Sequence, residues 1–337
     1  MERMEGSPPP PLMNTMRAVV ARQYGTPESL KLEDVSKPAA GPKDVLVKVR
    51  AASIGKGDWH LLTGKPFMIR LLFGLTRPKF PVLGSDVAGV VEAMGAEVTS
   101  LALGDEVFGD MSQYGFGAFA QFVCAPADAF CLKPANIGFG EAAAIPTSGL
   151  TALAALRKFG RVQKGQKVLI IGASGGVGSF AVQLAANLLG ADVSAVCGTR
   201  SVEKVKQLGA KRVWDYNKED FTLSGERFDV VIDTACARSI SDVRKVLAPV
   251  STYVLVGGGN MLSLAAFGSL RLKRGQKIEM AMLGPERKKD LEVLKGCAEE
   301  GTLVPLIDSR QPLARVPDAI RKIGEGGMQG KLVIDIP

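Results

Sequence analysis

Lys167-Val-Leu-Ile-Ile171-Gly172-Ala-Ser-Gly175-Gly176-Val-Gly178 is the stretch that decides the fold, and an alanine-rich run from Ser179 to Leu189 follows it directly. Val168 to Ile171 is an unbroken apolar run, the pattern of a strand buried on both faces of a parallel sheet. The glycines after it let the backbone turn tightly and approach a pyrophosphate, whose oxygens the N–H groups and partial positive charge of a helix start then bind. A glycine cluster alone says little. Set between a buried strand and a helix, it predicts a dinucleotide site with Ser174, Gly175, Gly176 and Val177 against the pyrophosphate.

The next strand, Asp192 to Cys197, ends in Gly198-Thr199-Arg200. A chain that binds NAD places a carboxylate there for the ribose hydroxyls. Here no carboxylate repels a 2′-phosphate, and Thr199, Arg200 and Lys204 offer charge-assisted hydrogen bonds to one, so NADPH is the expected cofactor. Further strands are predicted at Lys211 to Asp215, Phe228 to Asp233 and Thr252 to Val256, with helical segments at crossover spacing. The fold class is α/β, and this half is a doubly wound parallel sheet.

Upstream the texture differs. Arg17 to Ala21, the alternating run Val45 to Arg50, Val87 to Val91 and Asp105 to Gly109 read as short strands with few helices between them. Glu141 to Phe159 reads as one alanine-rich helix. The tail after Glu286 carries one charged amphipathic helix and strand candidates at Leu303 to Ile307 and Leu332 to Ile336. The expected organisation is a disordered tail over 1–15, a β-rich catalytic domain over 16–139, a Rossmann domain over 140–284, and a return to the catalytic domain over 285–337.

Composition narrows the chemistry. The chain has a single histidine, His60, so multi-histidine metal sites are excluded and a Ser-His-Asp triad would rest on that one ring. Its five cysteines (Cys124, Cys131, Cys197, Cys236 and Cys297) form no CxxC pair, which argues against a disulfide framework and for a reducing intracellular compartment. Cytoplasm is the expected location, with the periphery of an organelle as the alternative. The net charge of +8 suits a phosphorylated cofactor, an acidic membrane surface or nucleic acid. No apolar run reaches the roughly 18 residues needed to span a bilayer.

The landmarks Ala51-Ala-Ser-Ile, Phe80-Pro-Val-Leu-Gly-Ser-Asp-Val-Ala-Gly-Val-Val91, Gly104-Asp-Glu-Val-Phe-Gly109, the glycine loop and Gly330-Lys-Leu-Val-Ile334 together resemble the quinone-oxidoreductase branch of the medium-chain dehydrogenase/reductase superfamily. The resemblance implies a GroES-like catalytic domain joined to the Rossmann domain. Zinc members of the superfamily carry a cysteine where this chain has Gly55 and a His-Glu pair where it has Ser85-Asp86, and the four cysteines of the structural zinc lobe are missing. No metal is therefore expected.

Without a metal to polarise an alcohol, the accessible chemistry is hydride addition to an electron-poor acceptor, a lipophilic quinone or an α,β-unsaturated carbonyl. The resemblance also places Thr151 near the nicotinamide, Tyr216 near the adenosine phosphate and Val256 and Gly257 along the nicotinamide ribose, and it implies a homodimer. Relatives often carry an asparagine at the position of Gly55. Lys56, Asp58 and Tyr114 remain as polar candidates for the catalytic role, each of which equally suits a turn or a cap.

Two segments, Phe67 to Leu75 and Met261 to Ile278, mix apolar and basic residues. They suit peripheral contact with an anionic membrane, and equally a substrate cleft or a subunit interface. A second functional reading, an NADPH-binding regulatory or RNA-binding protein with little turnover, lacks motif support. Only 6% of residues are aromatic, which leaves few platforms for stacking bases, and nucleic acid is not the expected partner.

Overall fold

The computed structural model describes residues 14–257, 272–281 and 287–337. The expected tail over 1–15 lies outside them up to residue 13, as does Met261 to Arg271 of the second apolar and basic segment.

Six strands form a parallel sheet: β8 (Lys167–Ile171), β9 (Asp192–Cys197), β10 (Arg212–Asp215), β11 (Phe228–Asp233), β12 (Leu247–Leu255) and β13 (Gln276–Met280). Their order is β10-β9-β8-β11-β12-β13. The chain leaves β8 toward one edge and returns to start β11 on its other side. The crevice at the carboxyl ends of β8 and β11 is therefore the topological switch point, where ligands bind in such sheets.

A second sheet is built on β3 (Asp44–Ile54), which pairs antiparallel with β4 (Asp86–Met94) and with β6 (Phe122–Pro126). β5 (Glu106–Asp110) and β7 (Phe130–Leu132) extend it on one side. On the other side β15 (Lys331–Asp335) pairs with the end of β3, Leu332 opposite Ile54, and β14 (Ile307–Pro312) follows. β1 (Thr15–Val20) and β2 (Lys31–Ser36) form a separate ribbon.

One apolar cluster joins the two sheets, with Ala51, Ala88, Phe108 and Val333 from the first and Val168 and Ile170 from the second. Alanine is what allows this. α3 (Phe139–Ala144) and α4 (Pro146–Ala154) lie between the sheets, and Ala142, Ala143, Ala144 and Ala152 are fully buried there.

The structure corrects three expectations and fills in a fourth, the few helices of the β-rich half. The segment Glu141 to Phe159 is two helices and a closing π turn, because Pro146 has no N–H to continue the first helix and starts the second. Leu303 to Ile307 is not a strand. Leu303 N–H donates to the Cys297 carbonyl, and both backbone groups of Val304 are taken by the Gln183 side-chain amide, at 2.8 and 3.0 Å, so pairing begins only at Ile307. Beyond α6 (Val202–Gln207) and α7 (Ile240–Val243), the tail holds two helices, α8 (Arg287–Glu299) and α9 (Val316–Glu325). The β-rich half also carries α1 (Lys56–Thr63) and α2 (Met68–Phe73).

Candidate active site

The glycine loop lies at the switch point, and two of its glycines have a steric reason to be glycine. Gly172 turns with φ +79°, and a Cβ there would sit 2.4 Å from Thr234 Oγ1. At Gly178 a Cβ would lie 2.2 Å from the Gly172 carbonyl, so only glycine lets α5 (Gly176–Gln183) start against the end of β8. Thr234 donates its hydroxyl to the Ile171 carbonyl at 2.9 Å. Asp233 fixes the turn beneath, its Oδ1 accepting from the N–H groups of Ala235 and Cys236 and its Oδ2 from the Tyr253 hydroxyl at 2.7 Å.

At the next strand end, Thr199, Arg200, Lys204 and Tyr216 gather around Gly198. A Cβ on Gly198 would lie 3.0 Å from the Tyr216 hydroxyl. Asn217 donates to Thr199 Oγ1 at 3.3 Å. Arg200 and Lys204 reach across to the segment before β15, Arg200 donating to the Gly327 carbonyl and Lys204 to Gln329 Oε1 at 2.7 Å. Of the acids nearby, Asp215 is buried with Oδ1 accepting from Asn217 N–H, and Glu203 pairs with Lys206.

Between the two sheets lies a buried chain of charges that sequence reasoning did not identify. Lys331, 2% exposed, donates to Asp86 Oδ2 at 2.8 Å. The same oxygen accepts from Ser53 Oγ, and Asp86 Oδ1 accepts from Thr147 N–H at the first turn of α4, both at 2.7 Å. Thr147 Oγ1 donates in turn to Asp110, which forms an ion pair with Arg287. Burial pushes the Asp110 carboxyl up from its ordinary range despite that arginine.

The lysine also touches the cofactor loop. Gly330 N–H donates to the Ser174 carbonyl at 2.7 Å, and Gly175 and Gly330 form a parallel bridge. The Lys331 stem then crosses Gly176, where a Cβ would meet its Cδ at 3.0 Å and Ser148 Oγ at 3.2 Å. Its ammonium ends 3.6 Å from where a side chain at Gly55 would begin.

Of the three catalytic candidates, Asp58 lies in this region. It is 3% exposed, accepts from Gly55 N–H at 2.9 Å, and leaves Oδ1 buried without a hydrogen-bond partner. Burial pushes its carboxyl up to about 7; the Gly55 N–H and Lys331 pull it down and Asp86 pushes it further up. A neutral Asp58 leaves the buried set of Asp86, Asp110, Lys331 and Arg287 balanced in charge, which avoids an uncompensated buried ion. Lys56 is exposed on α1 and donates to the Ile323 carbonyl, 3.4 Å away on α9. Tyr114 is half-buried in the loop that leaves Asp110, and its hydroxyl has no hydrogen bond among the described residues. His60 Nδ1 lies 2.7 Å from the Lys65 carbonyl, so that nitrogen carries the proton and the ring closes a surface turn.

The residues that the resemblance assigns to the nicotinamide end are held by backbone contacts. Thr151 donates to the Thr147 carbonyl at 2.7 Å. Val256 N–H donates to the Asp233 carbonyl, and Gly257 follows it with φ +102°, a conformation that favours glycine. Burial pushes the Cys131 and Cys197 thiols up to about 11 and Cys236 to about 12, away from the thiolate form.

A GroES-like lobe closing on a dinucleotide cradle defines a two-domain oxidoreductase. The chain belongs to the medium-chain dehydrogenase/reductase superfamily: residues 41–135 match the alcohol dehydrogenase GroES-like domain and residues 208–334 the zinc-binding dehydrogenase family. It is 32% identical over 335 residues to the chloroplast envelope quinone oxidoreductase homolog of Arabidopsis thaliana, covering 95% of this chain and 98% of that one. To the NADPH-dependent alkenal/one oxidoreductase of the same plant it is 31% identical over 332 residues, covering 95% of this chain and 79% of the other. Among solved structures, the quinone oxidoreductase from Coxiella burnetii superposes with a TM-score of 0.87 at 29% identity, covering 96% of this chain and all of that one.

The chain is thus an oxidoreductase that works with a nicotinamide cofactor. The zinc that one family name carries finds no matching donors among the described residues. Among the described residues no group of three or more His, Cys, Asp or Glu side chains could hold a metal ion, and both Asp86 oxygens are committed to other donors.

Proposed function

We propose that the protein is an NADPH-dependent, zinc-independent reductase that transfers hydride to quinones or α,β-unsaturated carbonyl compounds. The observation that carries this reading is the Lys331 ammonium held on Asp86 beside Gly55. A fixed cation there repels a divalent ion and takes up the carboxylate that could have bound one.

When bound, the nicotinamide supplies the hydride. The glycine loop and the first turn of α5 hold the pyrophosphate. Thr199, Arg200, Lys204 and Tyr216 receive the 2′-phosphate, while Thr151, Val256 and Gly257 line the nicotinamide end. A substrate that accepts hydride without Lewis-acid help must be electron-poor already, which favours conjugated carbonyls over simple ketones. Tyr114, with its hydroxyl unspent, is the group to donate a proton to the oxygen that gains charge. The names of the Arabidopsis relatives, a quinone oxidoreductase homolog and an alkenal/one oxidoreductase, support the same substrate class.

The test is the decay of NADPH absorbance with quinones, alkenals, and simple ketones or alcohols, with and without chelator, repeated with NADH. Turnover of quinones or enones with NADPH, indifferent to chelator, is expected. Alcohol turnover lost on chelation would overturn the reading, and tight NADPH binding without any turnover would replace it with the regulatory one.

A further inference from the structure

We infer that the segment from Lys65 to Lys79 is a docking surface for an anionic lipid bilayer. α2 is apolar on two faces. Ile69 and Phe73 turn inward and pack on the core of the first lobe, where Phe73 meets Phe116 edge-on at 5.7 Å. Met68, Leu71 and Leu72 on the helix, at spacings of three and four residues, are exposed, as are Phe67 before it and Leu75 beyond Gly74. The exposures are 51, 55 and 67% for the three on the helix, 62% for Phe67 and 59% for Leu75. The other exposed large apolar side chains of the described residues, such as Leu103, Leu223 and Val304, are scattered singly. Single exposed side chains are ordinary, and five within nine residues form a patch.

The charge within this segment has one sign. Between Asp58 and Asp86 there is no carboxylate, while Lys65, Arg70, Arg77 and Lys79 are cationic. Beside Leu75 opens a groove of about 560 Å3 whose lining includes Arg22, Thr76, Arg77, Pro78 and Lys79. Arg22 is paired with Glu33, whereas Arg77 and Lys79 have no carboxylate partner among the described residues. Lys79 sits over the Phe80 ring, 5.3 Å from its centre.

Apolar side chains flanked by unpaired cations suit a bilayer surface. The side chains enter the acyl boundary and the cations meet phosphate and carboxylate headgroups, the groove taking a headgroup between Arg77 and Lys79. A second copy of the chain fits less well, because a two-fold contact through this face would set its cations against the same cations of the partner.

Sedimentation of the full-length protein with vesicles tests this, comparing phosphatidylcholine alone with phosphatidylcholine containing phosphatidylserine. Binding to the anionic vesicles is expected to exceed binding to neutral ones at least tenfold and to weaken with salt. Leu71→Gln with Leu72→Gln should abolish it with no change in the circular dichroism melting temperature, since both side chains are in solvent. Arg77→Gln and Lys79→Gln should each lower it about fivefold. The inference is overturned by a wild-type protein that stays in the supernatant with anionic vesicles, or by binding that the Leu71/Leu72 variant retains. It is also overturned if those leucines prove to govern dimerisation in sedimentation velocity while vesicle binding is absent.

Discussion

Lys331 and Asp86, separated by 245 residues of sequence, meet at 2.8 Å in a place where neither reaches solvent. The pair ties β15, whose neighbour Gly330 is bonded to the glycine loop, to β4, so its removal should register in stability and, on the proposed function, in catalysis.

Lys331→Met leaves Asp86 as a buried charge without its counter-ion. Breaking a buried pair in this way costs about 3–5 kcal/mol. Urea unfolding should show that loss, and adding Asp86→Asn to the same chain should restore part of it. A Lys331→Met protein as stable as wild type would mean that the pair is open to water in solution.

Arg200→Ala should raise KM for NADPH about 10- to 100-fold, the value of one charge-assisted hydrogen bond to phosphate, while leaving KM for NADH nearly unchanged. Steady-state kinetics with both cofactors decides this. Equal losses with NADPH and NADH would place Arg200 away from the 2′-phosphate.

Two neighbouring glycines should separate folding from binding. In Gly178→Ala the new methyl group meets the Gly172 carbonyl at 2.2 Å, so α5 must back away from β8, at a cost of about 1–3 kcal/mol or more. In Gly175→Ala the nearest atom is 3.4 Å away and φ is −77°, so stability should hold while NADPH binding weakens. Thermal melts and fluorescence titration with NADPH read the two effects apart.

Asp58 makes stability depend on pH. Its folded carboxyl is raised to about 7 against an ordinary 3.8, so the native state keeps a proton that the unfolded chain releases. Stability from this group is therefore full below about pH 4, falls as pH rises toward 7 and is flat above. The total loss is about 4 kcal/mol. Asp58→Asn should remove the slope, and urea midpoints at pH 5 and pH 8 would show it. The variant should gain on wild type at the higher pH, and an equal difference at both would mean that Asp58 titrates as an exposed carboxylate.

Tyr114→Phe should lower kcat for an enone by about 100-fold with little change in KM for NADPH if the phenol is the proton donor. Unchanged kcat would assign Tyr114 to packing.

The Rossmann half was legible because its signals are local. Strands β9 and β11 fall on the residues read from the sequence, each an apolar run bounded by turns. The helices at α1 and α2 were hidden by glycines and by segments too short to show a period. The Lys331 network was illegible for a different reason. Its members come from β3, β4, β5, α4, α8 and β15, and nothing in the spacing of Ser53, Asp86, Asp110, Thr147, Arg287 and Lys331 shows that they converge. A lysine opening the apolar run Leu332 to Ile334, and an aspartate inside Val82 to Val91, were the only local hints that each charge has a buried partner.

The pairing of β15 with β3 bears on how the protein is made. During synthesis the edge of β3 from Ala51 to Ile54 emerges long before the residues that will cover it, and an open strand edge of that kind is a template for pairing with other chains. All six described strands of the parallel sheet precede β15 in the chain. Translation therefore delivers the six described parallel strands before β15, and β15 covers the β3 edge in the same step that brings Lys331 to the glycine loop.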